Sequence, residues 1–135
     1  MNNNYVVGNN ADIAGGGISI SSSEMIMFAF NSLYDNSAQV GGGIAVDFSE
    51  IVSTSDTISS NIAGNAGGGI FSVLSNVEIQ NSSIVDNQVI DGDGGGIIYQ
   101  ADQVLADANG PYEGIEDEPI QLYGSATGGT PPYSW

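Results

Sequence analysis

The sequence predicts an all-β protein whose main part is a parallel β-solenoid of about four coils, with a period of about 26 residues. Three observations predict it. Gly-Gly-Gly-Ile occurs at 15–18, 41–44, 67–70 and 94–97. An aliphatic residue, two variable positions and an Asn precede each copy, as Val6 to Asn9, Leu33 to Asn36, Ile58 to Asn61 and Ile84 to Asn87. Between these landmarks apolar residues alternate with period two, and no stretch keeps a helical period over ten residues. Linked motifs recurring at one fixed period of this length mark stacked repeats.

Each element of the repeat has a physical reading. The column Asn9, Asn36, Asn61 and Asn87 suits a tight turn, because Asn tolerates left-handed backbone and its amide can bond the next coil. The step from that Asn to the first Gly varies between five and seven residues, which reads as a loop. The triple Gly suits a corner where backbones pass closely or take positive φ. Ile18, Ile44, Ile70 and Ile97 form an interior column, followed two residues on by Ile20, Val46, Ser72 and Tyr99. Aligned on the same Gly anchor, Met25, Ile51, Val77 and Val104 come next, then Met27, Ser53 and Ile79. Each coil thus holds about three strand-like runs, stacked on its neighbour at about 4.8 Å. A leucine-rich repeat has a similar period, but Leu occurs only four times and no repeat carries a helical half.

The motif pair resembles the repeats of the polymorphic outer-membrane proteins, over roughly residues 3–105. Those surface proteins carry Phe-x-x-Asn and Gly-Gly-Ala-Ile on a pectin-lyase-like fold, so the resemblance implies a right-handed β-helix. Here Val, Leu or Ile stands in place of Phe, and a third Gly replaces Ala in all four coils.

The pattern stops after Leu105, which places the solenoid at 1–105 and a different segment at 106–135. All four prolines fall in the latter, at Pro111, Pro119, Pro131 and Pro132. From Ala108 to Gly114, Glu116 to Pro119, Leu122 to Ala126 and Gly128 to Trp135 it resembles the opening of a PKD domain, an immunoglobulin-like β-sandwich of secreted and surface proteins. The Asp-Phe-Gly-Asp-Gly-like stretch that commonly follows is absent. Thirty residues supply two or three of about seven strands, so the resemblance implies a truncated domain start. A Pro/Gly-rich linker is the simpler alternative.

Charge sets the classes of partner. Sixteen Asp plus Glu, with no Lys, Arg or His, give −16. Without side-chain cations the chain has nothing to neutralise phosphate, which excludes nucleic acid and disfavours anionic membrane surfaces. Without Cys or His it has no disulfide, no thiolate or imidazole metal ligand and no imidazole base. The longest apolar run, Met25 to Phe30, is far too short to insert across a membrane. Met1 to Tyr5 lacks the cationic and apolar regions of a signal peptide, and the internal organisation favours a piece of a longer secreted chain.

Candidate sites are few. Lyases of the pectin-lyase-like fold generally use Arg or Lys as base, and this chain has neither. Asp35 and Asp86 precede ladder Asn residues two coils apart, about 9.6 Å, with Ser60 between them. They read as solvated turn formers, and the chain is expected to be no enzyme. Glu24 and Glu50 share a register on the Gly anchor, so their repulsion would be relieved by a cation, of which calcium fits best. The alternative is that both splay into solvent. Asp91-Gly92-Asp93-Gly94 lacks the further ligands of a calcium loop and reads as the longest variable loop. Met25 to Phe30 breaks alternation, so a strand there presents either Ile26, Phe28 and Phe30 or Met25, Met27 and Ala29 outward. Outward Phe28 and Phe30 beside Tyr34 would form a surface for a sugar ring or protein partner, and a packed corner or contact with a neighbouring loop is the equally simple account.

The expected function is a non-catalytic part of a larger extracellular or cell-surface protein: an adhesin, stalk or polysaccharide-binding surface. Its alternatives are a fragment of a carbohydrate-active enzyme with catalytic coils elsewhere, and a structural spacer. An uncapped edge coil would also invite end-to-end self-association.

Overall fold

The computed structural model describes residues 1–100 together with the strands Leu105–Asp107 and Ser125–Thr127. The chain divides into two compact units, Met1–Gln100 and Ala101–Trp135. Within the first, the strands in chain order are β1 (Tyr5–Val7), β2 (Ile18–Ser21), β3 (Met25–Ala29), β4 (Ser32–Tyr34), β5 (Ser37–Val40), β6 (Ile44–Asp47) and β7 (Glu50–Thr54). They continue as β8 (Thr57–Ser59), β9 (Ile62–Ala66), β10 (Ile70–Val73), β11 (Asn76–Gln80), β12 (Ser83–Val85), β13 (Gln88–Val89) and β14 (Ile97–Gln100). Every pairing among them is parallel and joins a strand to its counterpart one coil away. The result is a parallel β-solenoid of about four turns, with no helix among the described residues.

The coil has four faces rather than three. Going round the chain they are β1-β4-β8-β12, then β5-β9-β13, then β2-β6-β10-β14, then β3-β7-β11. The second face occupies the Asn-to-Gly step that reads as a loop in the sequence. Its inward positions include Ala38 and Ala63, too small to announce a strand. In the second unit, β15 (Leu105–Asp107) pairs antiparallel with β16 (Ser125–Thr127). Leu105, expected to continue the solenoid, therefore pairs with Thr127 instead. Val104, the remaining PKD-like residues and the charge run Glu116, Asp117 and Glu118 lie outside the described residues.

Columns of like residues fill the interior. Ile18, Ile44, Ile70 and Ile97 pair in register, and Ile44 and Ile70 are fully buried. Val6, Leu33, Ile58 and Ile84 line the first face, and Ile26, Ile51 and Val77 the fourth. The Ile20 column carries a polar residue with no partner. Ser72 stands above Val46 in the Ile20 column, is 0% exposed, and its hydroxyl has no partner.

The Asn ladder binds the coils together. Asn61 Oδ1 accepts from the backbone N–H and Nδ2 of Asn36, at 3.0 and 2.9 Å. Its own Nδ2 donates to Asn87 Oδ1 at 2.9 Å and to the Leu33 carbonyl at 3.0 Å. Asn36 repeats this between Asn9 and Asn61, with Nδ2 donating to the Val6 carbonyl. The aliphatic-x-x-Asn motif thus has two functions: its aliphatic side chain fills the core, and its carbonyl receives the next coil's amide. The left-handed residue is the one before the Asn. Gly8, Asp35, Ser60 and Asp86 have φ of 55–67°.

The triple Gly is coupled to that ladder. Gly41 takes φ 62°. A Cβ on Gly42 would sit 2.6 Å from the Gly68 carbonyl oxygen, and one on Gly43 2.6 Å from that of Gly69 and 3.1 Å from Asn61 Nδ2. Gly17 and Gly69 likewise face the amides of Asn36 and Asn87. The third Gly makes room for the next coil's Asn.

Two stability predictions follow from this packing. Asn61→Ala strands the Asn36 amide and the Leu33 carbonyl in the interior, and chemical denaturation should show a loss of about 3 kcal/mol or more. Ser72→Val removes an unpartnered buried hydroxyl from the column it shares with Ile20, Val46 and Tyr99, and the denaturation midpoint should rise by the equivalent of about 1–3 kcal/mol. A fall for the second variant would mean that the column has no room at that height.

Candidate binding surface

Three of the four corners are built alike: a left-handed residue followed by a polar residue that bonds the next coil. Besides the Asn corner, Asn3, Phe30, Ser55 and Asn81 take φ of 49–55° before Asn4, Asn31, Asp56 and Ser82. Asn31 Oδ1 accepts from Asn4, Asp56 Oδ1 accepts from Asn31, and Ser82 Oγ accepts from the Asp56 backbone N–H. At the remaining polar corner Ser22, Phe48 and Leu74 take φ of 43–50° before Ser23, Ser49 and Ser75. The N–H of Ser23 donates to Ser49 Oγ and that of Ser49 to Ser75 Oγ, each at 3.0 Å. The spacing of these two ladders is regular. The first lies five residues before each ladder Asn, and the Ser ladder eight after Gly15, Gly41 and Gly67.

Asp56 is the exception within its ladder. It is 2% exposed, and its Oδ1 accepts from the backbone N–H and Nδ2 of Asn31 at 2.7 and 2.9 Å. Its Oδ2 accepts from Ser53 Oγ at 2.7 Å. A carboxylate has no N–H to offer, so Ser53, an inward residue of β7, turns its hydroxyl to the oxygen that an Asn would have used as nitrogen.

The corners also fix the register of the fourth face, and here the sequence reading needs correction. The coil spacing is 26 at Ser21↔Asp47 but 25 at Met25↔Glu50, so coil one carries an extra residue, Glu24. A one-residue slip turns every side chain of a strand over. Ile26 therefore pairs with Ile51, and Phe28 with Ser53, while Met25 and Met27 face solvent. Phe28 is 3% exposed and belongs to the core; Phe30 is exposed and Tyr34 half-buried. The three aromatics expected to form one surface are thus split between inside and outside. Glu50 stands beside Met25 rather than Glu24, so the two carboxylates do not share a register. Among the described residues no three carboxylates gather to hold a metal ion. Asp35 and Asp86 are exposed left-handed corner residues. Asp93 bridges Ala66 beside the longest version of the variable step.

Two surface features remain. An open groove of about 250 Å³ runs over the second face, lined by Asn10, Asp12, Gln39, Ile62, Gly64 and Ile90 among others. Gly64 gives it a floor, since a Cβ there would meet Gln39 Oε1 at 2.5 Å. The other is apolar and spans the outer face of β3 and the corners beside it, with Met25, Met27, Phe30 and Phe48 all exposed.

The Asp56 geometry makes a prediction. Asp56→Ala removes the acceptor for two buried Asn31 donors and should cost about 3 kcal/mol in chemical denaturation. Asp56→Asn keeps that acceptor and removes a buried charge, so it should remain within about 1 kcal/mol of the parent or exceed it.

No protein-family model, no curated protein and no solved structure matches this chain. The parallel β-solenoid is established by the pairing of its strands.

Proposed function

We propose that this chain is a non-catalytic part of a larger extracellular or cell-surface protein, a stalk or adhesin that presents a polysaccharide-binding surface. The groove over the second face carries this reading. Its lining reaches from Asn10 in the first coil to Ile90 in the fourth, a rise of about 14 Å along the solenoid axis. Ile62 and Ile90 offer apolar contact to the C–H face of a sugar ring, and Asn10 and Gln39 offer donors and acceptors to its hydroxyls. Asp12 is the only ionisable lining residue, and a chain of charge −16 without side-chain cations disfavours an acidic glycan. A neutral linear polysaccharide lying along the axis suits this chemistry. The motif resemblances, with the right-handed pectin-lyase-like winding and PKD-like tail they imply, support a surface protein of this kind.

The test is a panel of neutral and acidic polysaccharides, with and without calcium, followed for retention and for new reducing ends. Retention of a neutral polymer without cleavage, lost in an Asn10→Ala/Gln39→Ala variant, is the expected result. New reducing ends would overturn the non-catalytic reading and make Asp35 and Asp86 the first residues to replace. Absence of retention across the panel would overturn the binding surface and leave a spacer.

A further inference from the structure

We infer that the outer face of β3, with the corners on either side of it, is a docking surface for a cationic amphipathic segment of a partner protein. The surface runs from Phe48 through Met25 and Met27 to Phe30, which are 59%, 60%, 63% and 60% exposed. Val52 lies beside Met27 in the next coil. Unbranched Met side chains adapt to irregular apolar partners, and the two Phe side chains bound them at the corners.

The backbone singles out the same positions. Phe30 and Phe48 hold left-handed φ of 55° and 43°, a conformation that disfavours bulky residues. Elsewhere in the described corners those columns hold Asn3, Ser55 and Asn81, or Ser22 and Leu74. Two exposed aromatics kept in a strained conformation, on either side of two exposed Met, are poorly explained by folding.

Charge selects the partner. Glu50 is the register neighbour of Met25, Glu24 precedes Met25, Asp47 precedes Phe48, and Glu78 follows Val52 in the Met27 column. The apolar strip is therefore rimmed by carboxylates; the sequence has no side-chain cation to neutralise them, and the one cation beside them, the Met1 ammonium, donates to the Met27 carbonyl at 2.8 Å. Lys and Arg beside apolar side chains complement both parts of this surface. A second copy of the chain would bring another −16 against it. The strip is about 20 Å long, the length of about thirteen helical residues.

The experiment titrates the full chain with a fluorescent Lys/Leu peptide of helical amphipathic spacing, and with a scrambled peptide of equal composition. Circular dichroism checks that each variant is folded. The amphipathic peptide should bind at least about tenfold more tightly than the scrambled one and retain that advantage at high salt. Met25→Ser/Met27→Ser should weaken it about tenfold, whereas Tyr5→Ser, more exposed and on another face, should not. Phe48→Asn should raise the denaturation midpoint while weakening binding, a combination that a merely structural role would not produce. Equal binding of both peptides, undiminished binding by the Met variant, or no binding at all would overturn the inference. So would a self-associated chain that the Met variant converts to monomer.

Discussion

A single amide, repeated once per coil, constrains the rest of this solenoid. The ladder Asn must accept two hydrogen bonds from the coil before it and donate one to the coil after it. Its second N–H must find a carbonyl three residues ahead of the preceding ladder Asn. Those four bonds fix the height and rotation of each coil on the last. They also dictate residues well away from the Asn. The carbonyl's owner is a core aliphatic, and the third Gly of the following corner lies against the amide at a distance no Cβ would tolerate comfortably. The two motifs recur together because they meet across a narrow coil.

The corners, more than the strands, set the register. Counting back three and five residues from Asn31, Asp56 and Ser82 gives Phe28, Ser53 and Ile79, then Ile26, Ile51 and Val77. Those are the inward columns of the fourth face. Counting forward from the Gly anchor gives the same set in coils two and three but fails in coil one, where Glu24 is extra. The chain compensates within the next coil. The spacing returns to 26 at Val40↔Ala66, after a register shift between Ala38 and Val40. Between the insertion and the shift, the ladders of two corners keep their partners, so the excess is absorbed without breaking a bonded column.

What was legible in the sequence follows from this logic. The period, the Ile18–Ile97 column and the Asn ladder were readable because they have one residue type and nearly constant spacing. The second face was not, because Ala38 and Ala63 pack where the coil is too narrow for large side chains, and small residues carry no strand signal. The orientation of β3 was unreadable from its own residues, since Met25 to Phe30 is apolar on both sides and either phase is acceptable. Only the ladder corner beyond it resolves the phase. The split of Phe28 from Phe30 has the same origin: one is the last inward residue of a strand, the other a corner residue two positions on.

The absence of side-chain cations gives the ladders a further role. In a chain of charge −16, no buried acid can be answered by a salt bridge from within, so buried polar positions must be met by neutral donors. Asn and Ser do this at nearly every ladder position, and where Asp56 enters the interior, Asn31 and Ser53 supply three donors. The remaining described carboxylates lie outside the core. Their mutual repulsion is spread along a stack in which adjacent coils are already bonded through backbone and side chains. So acidic a surface adds repulsion between copies of the chain, and the cationic partner proposed for the β3 face draws on the same charge. The neutral amides inside and the carboxylates outside are consequences of one composition: a core that folds without ion pairs leaves the solenoid's described carboxylates, Asp56 excepted, at the surface.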